Sequence, residues 1–158
     1  MTSVGITGHQ NLPTVGLAYI RDGISSCLAS AATPLVGVSS LAAGADQLFA
    51  ELVLATGGEL TAVIPCADYE TTFSSPADLD RYRELLAAAA TAQILDYPHA
   101  CEDAYFAAGL AVVERADELI AVWDGQPARG HGGTADIVQH AREAGKPTTV
   151  IWPAGVRR

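Results

Sequence analysis

The sequence is poor in positive charge. Lys and Arg together number 9 against 18 Asp plus Glu, a formal net charge of −9, and Lys146 is its one lysine. An acidic surface repels phosphate backbones and anionic lipid alike, so neither a nucleic-acid partner nor a membrane surface is expected. Cysteine is equally scarce. Cys27, Cys66 and Cys101 are odd in number, widely spaced and outside any CxxC or CxxH pair, which excludes a disulfide framework and a structural zinc site and suits thiols in a reducing compartment. The opening MTSVGITGHQ has neither a basic stretch nor a long apolar run, so no signal peptide is read there. Apolar runs stop well short of the roughly 18 residues of a membrane span. A cytoplasmic protein is expected.

What is present is material for a core. Hydrophobic residues make up 49% of the 158 and charged residues 17%, a globular composition whose length suits one domain, residues 1–158. Short apolar runs alternate with helical periodicity. Val4 to Thr7, Leu35 to Val38, Leu60 to Ile64, Ala92 to Leu95, Leu119 to Trp123 and Thr148 to Trp152 read as strands. Between them, helices are predicted from Val15 to Pro34, over 46–56, 78–90, 102–116 and 134–144, with Gly57-Gly58 and Gly145 as stops. Cys66 to Pro76 reads as a long loop. About six strands alternating with five helices predict an α/β, three-layer, Rossmann-like fold, its mostly parallel sheet covered on both faces, because each parallel crossover needs a helix.

In such a sheet, ligands bind beyond the carboxyl ends of the strands, near the point where strand order reverses. Small and polar residues gather at those ends: Thr7, Gly8 and His9 after the first strand, Ser39, Gly44 and Asp46 after the second, Tyr69 after the third, and Asp124, Gly125, Arg129, Gly132, Gly133 and Thr134 after the fifth. Gly132-Gly133-Thr134 opens a helix, where free amides and the helix dipole attract an anion; alternatively the glycines form a turn and Thr134 is only an N-cap. Several residues carry two readings. His9 faces the ligand or caps a loop. Asp124 binds ribose hydroxyls or activates water, or it forms a turn with Gly125. Asp46 contacts a ligand, or sits in a first helical turn where the dipole favours a carboxylate. Tyr69 and Phe73 stack on a base as a lid, or anchor the loop to the core. Arg129 neutralises a phosphate or is a surface arginine. A zinc site from His9, Cys66 and His131 is set aside, because nothing local pairs these residues; no metal and no resident cofactor are expected.

The series GITGHQ, SSLAAGADQLFAE, IPCADYE, LIAVWDG and GHGGTADIV, in this order and at these strand ends, resembles the SLOG superfamily. These are Rossmann-like domains related to the DNA-processing protein DprA/Smf and to the LOG phosphoribohydrolases. The resemblance runs over nearly the whole chain. It implies a nucleotide or nucleotide-derived ligand over the strand ends, with Gly8 and His9 on one side, Gly44 and Asp46 on another, and the phosphate at Gly132, Gly133 and Thr134. One departure matters. The LOG segment PGGxGTxxE ends in a catalytic Glu, whereas RGHGGTADI places Ile137 there and Asp136 one residue early, a shift of about 100° around a helix.

The reading that follows is a nucleotide-binding domain of sensor or carrier type. One alternative is a nucleoside 5′-monophosphate phosphoribohydrolase with Asp124 or Asp136 as its acid. Another is a non-catalytic interaction module. Apolar helices over 46–56 and 102–116 carry the expectation of a homo-oligomer.

Overall fold

The computed structural model describes residues 1–128 and 132–158. Six strands, β1 (Thr2–Gly8), β2 (Leu35–Ser39), β3 (Glu59–Ile64), β4 (Thr91–Ile94), β5 (Glu118–Val122) and β6 (Thr148–Ile151), alternate with five helices, α1 (Leu17–Ser30), α2 (Ala45–Ala55), α3 (Pro76–Ala88), α4 (Glu102–Arg115) and α5 (Thr134–Glu143). The strands form one sheet in the order β4-β3-β2-β1-β5-β6, with every pairing parallel. The fold is α/β and Rossmann-like, as the alternation of apolar runs predicts. Strand and helix boundaries fall within two residues of those predicted for most elements. β1 starts earlier, at Thr2, because Thr2 and Ser3 pair with Leu35 and Val36.

The hydrophobic residues of the central strands divide between two layers. Val4, Ile6, Ile120 and Val122 pack with Ile20, Ile24 and Leu28 of α1 and Phe49 and Val53 of α2. On the opposite face, Val38, Val63 and Leu119 meet Ala108, Val112 and Val113 of α4 and Ile137 and Ala141 of α5. Helices on both faces explain why the β5 run reads as continuously apolar: a strand covered twice has no solvent side. A third cluster lies toward β3 and α3, where Leu60, Ala62 and Ile64 pack with Tyr69, Tyr82 and Leu85.

The chain runs outward from β1 through β2 and β3 to β4, then returns across the sheet to β5 on the other side of β1. The connections after β1 and β5 therefore leave in opposite directions, and a crevice opens between them at the carboxyl ends of these strands. No helix among the described residues is long and apolar enough to cross a membrane.

Candidate functional site

A crevice of about 330 Å³ lies at this switch point. Its walls come from the end of β1, the loop and first turn of α2, one face of α4, the start of α5 and Arg158. Thr7, Gly8, His9, Asp46, Tyr69, Gly132, Gly133 and Thr134, all singled out in the sequence, line it. Gln10 and Ser40, which follow the first and second strands in the sequence, line it too, and Tyr105, Gln126 and Arg158 join them without having been anticipated.

Two glycines bring α2 against β1. A Cβ on Gly8 would lie 2.6 Å from the Ala45 Cβ. Gly44 has φ +84°, and a Cβ there would come within 2.6 Å of the His9 carbonyl oxygen and closer still to that of Gln10. Only glycine tolerates both the conformation and the approach. The Ala45 N–H can then donate to His9 O at 3.1 Å, which fixes the start of α2, and Asp46 with it, at the wall of the crevice. Ser39 acts from behind. It is fully buried and does not line the crevice; its hydroxyl donates to the Asp46 carbonyl at 3.2 Å and accepts from Leu41 N at 3.0 Å. Leu41 is a non-glycine residue at φ +58°, a strained conformation. It is held by that hydroxyl and by Gln47, whose side-chain amide donates to Leu41 O at 3.2 Å.

Asp46 is 9% exposed. Its Oδ2 accepts from Ala42 N at a long 3.4 Å, and Oδ1 has no hydrogen-bond partner among the described residues. Burial disfavours the charged carboxylate and pushes its pKa up to about 7, against the small opposing effect of the Ala42 amide. A group that exchanges its proton near neutral pH, inside a crevice, is a candidate for chemistry or for proton-dependent recognition.

Asp124 has a different place. It does not line the crevice, and its side chain is 9% exposed. Oδ1 accepts from Gln126 N at 3.1 Å and stands 3.2 Å from His9 Nε2, while Oδ2 lies 3.3 Å from Arg158 Nε. Burial alone would raise this carboxyl; the Gln126 amide, the His9 contact and the charges of His9 and Arg158 outweigh it and hold Asp124 below the usual carboxylate range. Three groups converge on the His9 ring: Arg158 Nη1 stands 3.2 Å from Nδ1, while the Asp124 N–H donates to Nε2 at 3.2 Å, the nitrogen that also faces Asp124 Oδ1. His9 also packs edge-on against Trp152, with ring centroids 5.3 Å apart. Asp124 is thus the anchor of a His9–Arg158 network, not an open acid.

Arg158 reaches this position because the chain turns after β6. Trp152 Nε1 donates to Val156 O at 2.7 Å, and Gly155 supplies a positive φ in the turn. Arg158 Nε is buried with no hydrogen-bond partner among the described residues, since its approach to Asp124 is not aligned as a bond. Lys146 is elsewhere: its Nζ donates to Ala116 O, before the start of β5 at the opposite end of the sheet.

The start of α5 departs from the N-cap reading of Thr134, while Gly132, Gly133 and Thr134 do open the helix. Gly133 is the N-cap, without a side-chain cap, and Thr134 is the first helical residue. The amides of Thr134 and Ala135 have no intrahelical partners, and both residues line the crevice. Asp136 reaches back so that its Oδ2 accepts from Gly132 N at 3.0 Å. It holds the loop in place and takes the amide at Gly132 for itself. A positive φ of +86° and the closeness of the Phe106 backbone explain why glycine stands at 132.

Tyr69 is 4% exposed. Its ring packs edge-on against Phe73 and Tyr82, so it anchors the loop to the core while lining the crevice. Burial, with the charge of Asp46 second, holds its phenol well above 10. The lid reading of Tyr69 and Phe73 gives way to the anchoring one, for a fully packed ring has no freedom to close over a ligand. Gly125 lies outside the crevice, in a neighbouring hollow with Trp123 and Pro127. Arg129 and His131 fall outside the described residues.

No family model matches this chain, and no curated protein matches it. Solved structures share its fold. DNA processing protein A (DprA) from Streptococcus pneumoniae superposes with a TM-score of 0.71 at 18% identity, over 98% of this chain and 52% of that one. DprA from Helicobacter pylori, a protein with a described single-stranded DNA binding mode, gives a TM-score of 0.64 at 18% identity, over 98% and 67%. A protein designated TM1055 gives 0.60 at 17% identity, over 94% and 72%. The chain spans about half the length of the Streptococcus protein. The parallel, Rossmann-like fold predicted from the strand and helix pattern is what these neighbours share with it. They also correct one expectation. Net charge was taken to exclude a nucleic-acid partner, yet this fold serves a protein that binds single-stranded DNA. The exclusion does not stand. Net charge sums the whole surface, whereas a ligand meets the local field of a crevice, and here that field includes Arg158 and the start of α5.

Proposed function

We propose that this chain is a nucleotide-binding domain of sensor or carrier type, taking a phosphate-bearing ligand into the crevice between β1 and β5. The observation that carries the reading is the crevice itself: about 330 Å³ at the switch point of a parallel sheet, with uncapped helix amides and an arginine on its wall. The phosphate sits against the amides of Thr134 and Ala135 and the guanidinium of Arg158, which lines the crevice while its Nε faces Asp124. N-glycoside hydrolysis draws less support. The two carboxylates expected to serve it are engaged, Asp124 by Gln126, His9 and Arg158 and Asp136 by Gly132.

A thermal-shift screen of nucleotides, dinucleotide cofactors and phosphoribosyl compounds tests the proposal, and a screen with no stabilising compound counts against it. Arg158→Ala is expected to weaken a nucleoside monophosphate about tenfold or more, since hydrogen bonds to charged groups contribute about 1.5–3 kcal/mol. The matching nucleoside, lacking phosphate, should be unaffected in calorimetry. Equal losses for both would show that Arg158 does not hold the phosphate.

A second reading has its own support. A smaller hollow shares Gln10, Ala42, Tyr69 and Tyr105 with the crevice and extends it toward α3. A continuous groove of this kind suits a short single strand of nucleic acid, and the fold is shared with a DprA that binds one. Competition between a mononucleotide and an oligonucleotide separates the two. An oligonucleotide that binds tightly with a steep salt dependence favours the strand.

A further inference from the structure

Asp46 plays no part in holding a phosphate, yet it is the one acid among the described residues that line the crevice. It stands after β2, whereas Arg158 lies over the ends of β1 and β5, against His9 and Asp124. Both line the one crevice, Asp46 from the start of α2 and Arg158 from the end of the chain, so a single ligand with a phosphate and a base can meet both. Around Asp46 the wall includes Ala42, Pro65, Tyr69 and Tyr105, largely apolar, as burial of a base requires.

Resting on the nucleotide reading above, we propose that Asp46 selects the base, its neutral carboxyl pairing with an edge that carries an exocyclic amino group beside an unprotonated ring nitrogen, the edge of adenine or cytosine. A neutral carboxyl presents one donor and one acceptor side by side. Its free Oδ1 carries the proton and donates to the ring nitrogen. Oδ2, which has two lone pairs, accepts from the amino group while keeping the long bond from Ala42 N. An ionised carboxylate would offer two acceptors and match guanine, with its adjacent ring N–H and amino group. Burial favours the neutral form, raising the group to about 7. No ion pair links Asp46 to a cation among the described residues. The titratable groups near it are Tyr69 and Tyr105, both raised above 10 by burial first, and His9, which shares the crevice. The phenols stay neutral across the working range, so Asp46 and His9 are the two groups to separate.

The 5′-monophosphates of adenosine, cytidine, guanosine and uridine, titrated calorimetrically from pH 6 to 8.5 against wild type, Asp46→Asn and Asp46→Ala, make the test. Adenosine and cytidine monophosphate are expected to bind wild type at least tenfold tighter than the other two at pH 6. That advantage should shrink about tenfold by pH 8.5, as the carboxyl loses its proton. An asparagine amide keeps a donor beside an acceptor and cannot titrate, so Asp46→Asn should retain the preference and lose its pH dependence. Asp46→Ala should lose the preference and keep phosphate-dependent binding. Guanosine monophosphate binding best, a preference surviving in Asp46→Ala, or a pH dependence surviving in Asp46→Asn (which assigns it to His9) each overturns the proposal while leaving the phosphate site standing. If none of the four nucleotides binds, the nucleotide reading itself fails, and the assignment of Asp46 with it.

Discussion

Asp46→Asn is expected to make the protein more stable at pH 8, by about 2–4 kcal/mol, a rise in Tm on the order of 5–10 °C for a chain of this size. The folded state holds the Asp46 proton up to about pH 7, whereas an unfolded aspartate releases it near 3.8. Between those values the native state binds more protons than the unfolded one, so stability falls as pH rises. The contribution is fully present below about pH 4 and lost above 7. Asparagine is uncharged, keeps an acceptor for Ala42 N, and forgoes only the dipole benefit of a carboxylate at a helix start, roughly 0.3–1 kcal/mol. Chemical denaturation of both proteins from pH 4 to 8.5 checks this. The gap should be small at pH 4 and open through 5–7. A constant gap, or a less stable variant at pH 8, would mean that Asp46 is not the buried acid described. A residue whose removal stabilises the fold is kept for some other reason, which ties this measurement to the role proposed for it in recognition.

Gly44→Ala should have the opposite and larger effect, a loss of about 3–5 kcal/mol. The added methyl would meet two backbone carbonyls, those of His9 and Gln10. Neither can swing aside as a side chain could, because His9 N donates to Val122 O within the sheet margin and His9 O accepts from Ala45 N. The backbone at Gly44, φ +84° and ψ −124°, is moreover closed to residues with a Cβ. Relief requires α2 to withdraw from β1, which carries Asp46 out of the crevice. Thermal denaturation and nucleotide binding should therefore fail together. Gly57→Ala is a useful contrast. It too has a positive φ, +82°, but a Cβ there meets nothing within 4 Å; only the conformational cost remains, about 1 kcal/mol.

The fold was readable because its strands are short, apolar and stopped by glycine or proline, and because helices with one apolar face intervene. LIAVW announces a doubly covered strand by itself. The strand-end rule then placed Thr7, Gly8, His9, Asp46 and Gly132 to Thr134 around one opening, as the structure does. What stayed hidden depends on contacts between distant segments. A carboxylate in a first helical turn is ordinarily solvated; that Asp46 is buried follows from Tyr69 and from the approach of α2 to β1. Arg158 belongs to a polar tail with no periodicity, and only the turn held by Trp152 and Val156 carries it back to His9 and Asp124. Asp124 looked free for chemistry because its partners lie 115 residues before it and at Arg158. Thr134 looked like a cap because threonine favours that position, but the loop stops one residue earlier than propensity suggests, and Asp136 closes it from inside.

The sheet order has a consequence for assembly. β1 pairs on one side with β2, about 30 residues away, and on the other with β5, where Gly5 meets Leu119. The first pairing closes a short loop; the second must gather most of the chain, and long-range contacts of this kind form slowly. The crevice lies on that second seam. It comes into being only when the sheet is joined across β1 and β5, so a ligand lodged there holds together the halves of the molecule that meet last. Its binding energy acts against unfolding of the entire sheet, not the loosening of one loop. Occupancy of this pocket is thereby written into the lifetime of the whole fold.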